Sequence, residues 1–129
     1  MKGVYLLIVL VSNNIKSKIG SLGKIKFKKG LYAYMGSAQN NLEKRVARHK
    51  SKYKKKFWHV DYLLNNKFTK VQKVFYKKAK KLEECQIAKN LSKIAIPIIN
   101  FGCSDCSCKS HLFKIKNLRS ISKLGVKEL

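Results

Sequence analysis

Residues 30–50 read GLYAYMGSAQNNLEKRVARHK, and their types and spacing suit the handling of a bound phosphate. Arg45 and His49 stand four residues apart, with Arg48 three from Arg45. On a helix all three would project from one face, about a turn from each other. A guanidinium grips a phosphate through two parallel N–H bonds, which an ammonium cannot do. Only three of the 30 basic residues are arginines, so two of them at this place point to a geometric demand. Tyr32 and Tyr34 would share one side of a strand, because strand side chains repeat every two residues. Gly36, between strand and helix, would let backbone or phosphate approach closely. A helix N-terminus beyond it would favour an anion through its unpaired N–H groups. The competing reading is a basic amphipathic helix with no chemistry.

Two further stretches carry reactive side chains. WHVDYLL (58–64) brings His59 and Asp61 close together before an apolar run. Asp61 is expected to cap or tie a helix there, with His59 turned towards a ligand; structure is favoured over chemistry. CSDCSCKSH (103–111) has a C-x2-C-x-C-x2-H spacing through Cys103, Cys106, Cys108 and His111. Cysteine and histidine are the usual zinc ligands. The C-x-C step is tight, however, and no second C-x2-C pair follows. A locally hydrogen-bonded turn is therefore expected, with no stoichiometric zinc in the purified protein.

The elements that must position these groups follow from hydrophobic patterning. GVYLLIVLV (3–11) is short, apolar and rich in β-branched residues, which fits a buried strand. It is too short to span a membrane, and no small-residue cleavage site follows it as in a signal peptide. KIKF (24–27) and LYAYM (31–35) read as strands joined by a hairpin turn at KKG (28–30), giving a three-stranded antiparallel sheet that ends at Gly36 and Ser37. Helices are expected over 39–55, opened by Asn40 or Asn41, and over 57–66. KVQKVFYKK (70–78) reads as a strand. Residues 81–93 place Leu82, Cys85, Ala88 and Leu91 on helical spacing, and Pro97 blocks the return of that helix. A last strand over 111–115 and a short helix over 117–125 complete the chain.

The 129 residues correspond to about one domain, and no linker or internal repeat divides them. The formal charge is +24. A field of that strength calls for a polyanion: nucleic acid first, an anionic membrane surface second. A lysine-rich solvated surface, with Lys, Asn and Ile abundant as an AT-rich coding bias would produce, is the plain alternative. An intracellular, cytoplasmic protein is expected, so that the four cysteines, Cys85 included, are thiols or metal ligands rather than disulfides.

Taken in order, GVY (3–5), YMG (34–36), NLEKRVARH (41–49) and EECQIAKNL (83–91) resemble the GIY-YIG nuclease superfamily. GSLGKIKFKKGLYAYMGSA, WHVDYLL and FGCSDCSCKSHLF resemble more closely a largely archaeal branch of it, long catalogued as a domain of unknown function. The resemblance covers essentially the whole chain. It departs from the wider superfamily in the separation of the two tripeptides, since residues 12–30 add a strand-and-turn segment.

The resemblance implies a single α/β (α+β) domain over 1–129, with a small, mostly antiparallel sheet flanked by helices. It implies that Tyr5 polarises or deprotonates the attacking water and that Tyr34 orients it. Arg45 would stabilise charge on the phosphate, with His49 beside it as donor or proton relay. Gly36, Ser37, Arg48 and His59 would lie along the substrate. Glu84 would hold one divalent cation, Mg²⁺ or Mn²⁺; Glu83, its neighbour, is the one-residue alternative, and Asp61 and Asp105 are rivals among only six acidic residues. These roles agree with the chemistry, since phosphodiester cleavage needs neutralised equatorial oxygens and a stabilised leaving alkoxide. The expected function is metal-dependent endonucleolytic hydrolysis of DNA, extending to repair or the processing of branched DNA. The alternatives are a nucleic-acid-binding module of the same fold that does not cut, an RNA-processing nuclease, and a zinc-bound structural module.

Overall fold

The computed structural model describes residues 2–38, 40–51, 56, 58–80, 82–102 and 108–129. Its centre is β1 (Gly3–Val11), whose unbroken apolar run is explained by burial on both faces. Tyr5, Leu7, Val9 and Val11 enter one core, and Val4, Leu6 and Ile8 enter another on the opposite side. Two strands flank β1 in antiparallel register. On one side β4 (Gly30–Ala38) runs its whole length against β1, with Tyr5 opposite Gly36 and Leu7 opposite Tyr34. On the other side lies β5 (Thr69–Lys77), with a bulge between Ile8 and Val9.

Two short pieces, β6 (Ile96–Pro97) and β7 (Leu112–Ile115), extend the β4 edge, and β8 (Lys127–Glu128) extends the β5 edge. The order is β6-β7-β4-β1-β5-β8, with every neighbouring pair antiparallel. Helices cover the sheet, so the class is α+β with a mostly antiparallel centre, as the sequence indicates. The core holding Tyr5 is closed by α1 (Leu42–Lys50) and α2 (His59–Leu64), and the opposite core by α3 (Leu82–Ser92) and α4 (Arg119–Ser122). Among the described residues no helix is long and apolar enough to cross a membrane.

The expected hairpin at 28–30 does not form. Residues 24–27 (β3) pair instead with β2 (Ile15–Lys18) as a separate two-stranded ribbon. The reason is burial. YAYM in β4 is buried on both faces and matches the two-sided burial of β1 on that side, whereas KIKF and IKSK alternate with lysine. The ribbon turns Ile15, Ile25 and Phe27 onto the Tyr5-side core and its lysines outward.

The sheet also runs past its expected end. Gly36, Ser37 and Ala38 continue the ladder opposite Tyr5, Val4 and Gly3. Helix α1 is shorter than the 39–55 reading. Asn41 caps it, accepting the Lys44 N–H at 3.0 Å, and it stops at Lys50. Residues 52–55 lie outside the described residues.

Candidate functional site

Strand alternation puts Tyr5 and Tyr34 on the same face of adjacent strands, above α1. That helix buries Leu42, Val46 and His49, a spacing of four then three that makes His49 part of its inward stripe. His49 thereby reaches the tyrosines. Its Nε2 lies 2.8 Å from the Tyr5 hydroxyl, and its ring stacks within 5.5 Å of Tyr5, 6.2 Å of Tyr34 and 5.7 Å of Trp58, centroid to centroid. Gly36 has a local reason to be glycine. A Cβ there would collide with the Tyr5 ring and hydroxyl, so the missing side chain is the seat of Tyr5.

Arg45, one turn before His49, donates from Nη1 to the Ser37 carbonyl at 3.2 Å. Its guanidinium lies 4.7 Å from the centre of the Trp58 ring. Burial pushes the Tyr5 hydroxyl up to about 12, and the charge of Arg45 and its hydrogen bond to Tyr5 pull the other way. The Tyr34 hydroxyl is raised well above its ordinary value, again chiefly by burial. The charges of Glu84 and Asp61 oppose ionisation of both tyrosines, so both carboxylates are felt in the site. Tyr5, Tyr34, Arg45 and His49 are thus grouped, drawn from two strands and one helix, while Glu84 stands on α3, which closes the opposite core, and reaches the tyrosines only through its charge.

The other candidates take different places. Arg48 forms a two-pronged pair with Asp61, Nη1 to Oδ1 at 3.1 Å and Nη2 to Oδ2 at 3.2 Å, and packs over Trp58 at 4.5 Å. Asp61 is fully buried, and its Oδ2 also accepts the Trp58 backbone N–H at 2.9 Å. It therefore ties the start of α2 to α1, as expected of it, and its Oδ1 stands 3.9 Å from His49 Nδ1. His59 accepts the Gly102 N–H on Nδ1 at 2.9 Å and stacks against Phe101; burial lowers its pKa. That ring fastens α2 to the segment before β7. Tyr32, on the same side as Tyr34, is spent on the Lys28 carbonyl at 2.7 Å.

Glu84 faces inward from the first turn of α3, and its Oε1 lies 3.1 Å from His111 Nδ1. Glu83 points outward to Lys77 at 3.1 Å, which separates the two glutamates. Asp105 lies outside the described residues, as do Cys103 and Cys106. The remaining members of that cysteine-rich stretch meet a residue the spacing does not include. Cys85, one position after Glu84, joins Cys108 and His111, with one ligand atom from each lying within 4.8 Å of the others, and this group could hold a metal ion. The sequence reading also missed Trp58, whose ring carries both arginines. The one signal for it is a lone tryptophan before a helix.

An α+β fold with two tyrosines, a histidine and an arginine gathered on one sheet face describes the class of this protein. By sequence, the chain belongs to the family described as domain of unknown function DUF123, whose model matches residues 4–128. No curated protein and no solved structure matches it significantly.

Proposed function

We propose that the chain is a metal-dependent endonuclease that hydrolyses phosphodiester bonds in DNA, working from the Tyr5 face of the sheet. The observation that carries this reading is the Tyr5–His49 hydrogen bond with the Arg45 guanidinium beside it. With its pKa near 12, Tyr5 is a neutral hydroxyl at neutral pH rather than a standing phenolate base. The hydrogen bond supplies a route around that. As Tyr5 Oη takes a proton from the attacking water, its own passes to His49 Nε2. The Asp61 carboxylate, 3.9 Å from Nδ1, favours the imidazolium that results.

Arg45 meets the charge that gathers on the phosphate oxygens, a task where one preorganised donor is worth about 10²–10³ in rate. Glu84 suits Mg²⁺ or Mn²⁺, which take oxygen ligands and are commonly held by one or two carboxylates together with the substrate's phosphate. With Oε1 against His111, Oε2 is the oxygen that would meet the cation. Such a cation, when bound, neutralises charge on the leaving oxygen. The net charge of +24 supplies affinity for the backbone without base recognition.

A second reading is a nucleic-acid-binding module that does not cut, of which an RNA-directed version is a variant. The burial of Tyr5 and Tyr34, 2% and 6% exposed, favours it. The test is incubation with labelled duplex, single-stranded and branched DNA, and with RNA, each with and without Mg²⁺ or Mn²⁺. Metal-dependent cleavage of DNA that is lost in Glu84→Gln and Arg45→Ala, with DNA still bound, supports the nuclease. Binding with no cleavage of any substrate returns the module, and cleavage confined to RNA transfers the activity to RNA.

A further inference from the structure

We propose that Cys85, Cys108 and His111 bind a zinc ion, with Glu84 orienting the histidine. One ligand atom from each of the three residues lies within 4.8 Å of the others. Bonds of about 2.3 Å to sulfur put two sulfurs of a tetrahedral site about 3.8 Å apart. Closing the group onto a metal therefore takes a shift of about 1 Å, within reach of small side-chain rotations.

The donor set selects the ion. Two sulfurs and an imidazole suit zinc and leave Mg²⁺ and Ca²⁺, which take oxygen, without a match. A metal-bound histidine typically donates its other ring N–H to a carboxylate, which fixes its tautomer and raises its basicity. Glu84 Oε1 stands 3.1 Å from His111 Nδ1, in position to accept that N–H. Nε2 is then the nitrogen that carries the metal. The surroundings agree. His111 is buried, while Cys85 and Cys108 are half-buried. A cleft of about 220 Å³, lined by Cys108, Lys89 and Lys109 among others, gives entry. On binding, both thiols release their protons to solvent, and three protein ligands leave a fourth position for water or another donor.

The site reaches across the fold. Cys85 stands on α3, while Cys108 and His111 lie just before β7. Zinc would therefore clamp that helix to the β4–β7 side of the sheet and fix the Glu84 carboxylate against His111. The proposal does not depend on nuclease activity, and its test reads none.

Full-length protein, purified with a non-thiol reductant and dialysed against metal-free buffer, is expected to retain about one zinc per chain by elemental analysis. Replacement with Co²⁺ should give the near-ultraviolet charge-transfer absorption of a cobalt–thiolate bond. Cys85→Ser and Cys108→Ser, both near-isosteric, should each abolish retention. Glu84→Gln should keep the site but weaken zinc by about 10–100-fold. Wild-type protein that retains no zinc and gives no cobalt–thiolate absorption overturns the proposal, whatever the variants do. So does zinc that survives Cys85→Ser, which would place the ligands elsewhere.

Discussion

The Tyr5 hydroxyl and His49 Nε2, 44 residues apart in sequence, meet at 2.8 Å inside the core. The contact joins the central strand to the first helix and pairs a hydroxyl that resists ionisation with the nearest ring able to take its proton. Tyr5→Phe deletes the hydroxyl and keeps the ring that fills the space over Gly36. If the pair relays a proton, cleavage should fall by about 10²–10⁴, while stability changes by only about 1 kcal/mol. Single-turnover rates on a cleaved DNA substrate and denaturant melts check the two halves separately.

The raised pKa of Tyr5 makes a pH prediction. Burial favours the neutral hydroxyl in the folded state, so the unfolded chain gives up this proton near pH 10 and the folded chain near 12. The stabilisation is fully present below about pH 10 and is lost as the pH rises towards 12. Wild type should therefore lose stability relative to Tyr5→Phe across that window. Comparing the two proteins cancels the lysine titrations they share. Parallel stability curves for the two from pH 9 to 12 would contradict it.

Arg45 and Arg48 carry the same charge on the same helix and both rest on Trp58, yet they should fail differently. Arg48→Ala leaves the fully buried Asp61 without its two-pronged partner. Loss of one partner from a buried pair costs about 3–5 kcal/mol, and the 29% exposure of the Arg48 side chain puts this case at or below the low end. Arg45→Ala breaks hydrogen bonds to the Ser37 carbonyl and to Tyr5 and should cost about 1–2 kcal/mol, but about 10²–10³ in cleavage rate. Thermal melts beside rate measurements separate the two. Equal effects on both would remove the special role of Arg45.

Gly36→Ala tests the seat of Tyr5. The new methyl occupies the place of the tyrosine ring, so the strand or the ring must move. Overpacking of this kind costs about 1–3 kcal/mol, and the shifted ring should lose its bond to His49. A destabilised protein whose cleavage falls as in Tyr5→Phe is the expected result; an unchanged melting temperature would speak against the close contact.

Affinity for DNA should depend steeply on salt. A chain of charge +24 that neutralises about 6–10 phosphates loses about 10³–10⁵ in affinity between about 50 and about 200 mM salt. Titration of a fluorescent duplex across that range measures the slope, and a flat profile would remove the nucleic-acid reading altogether.

Local pattern determined a good part of this molecule. The apolar run of β1, the β formers of β4 and the helical spacings of α1, α2 and α3 follow from periodicity. So does the common side of Tyr5 and Tyr34 once their strands are in register. The helix spacing that puts Arg45 and His49 one turn apart was legible, as was the tie that Asp61 makes at the start of α2.

Only the tertiary structure could decide what depends on distant segments. β4 lies beside β1 while the lysine-alternating β3 takes the equally lysine-rich β2 as its partner, and pairing preference is not encoded in either strand alone. Arg48 turned out to belong to Asp61, since a buried carboxylate must be paired and Arg48 is the cation α1 brings to it. Glu84 and Glu83 differ by one residue, and which of them faces inward is fixed by how α3 docks on the sheet. The meeting of Cys85 with Cys108 and His111 has no trace in sequence spacing, because ligand clusters are set by the packing of elements, and α3 meets the approach to β7 only when the helix docks on the sheet.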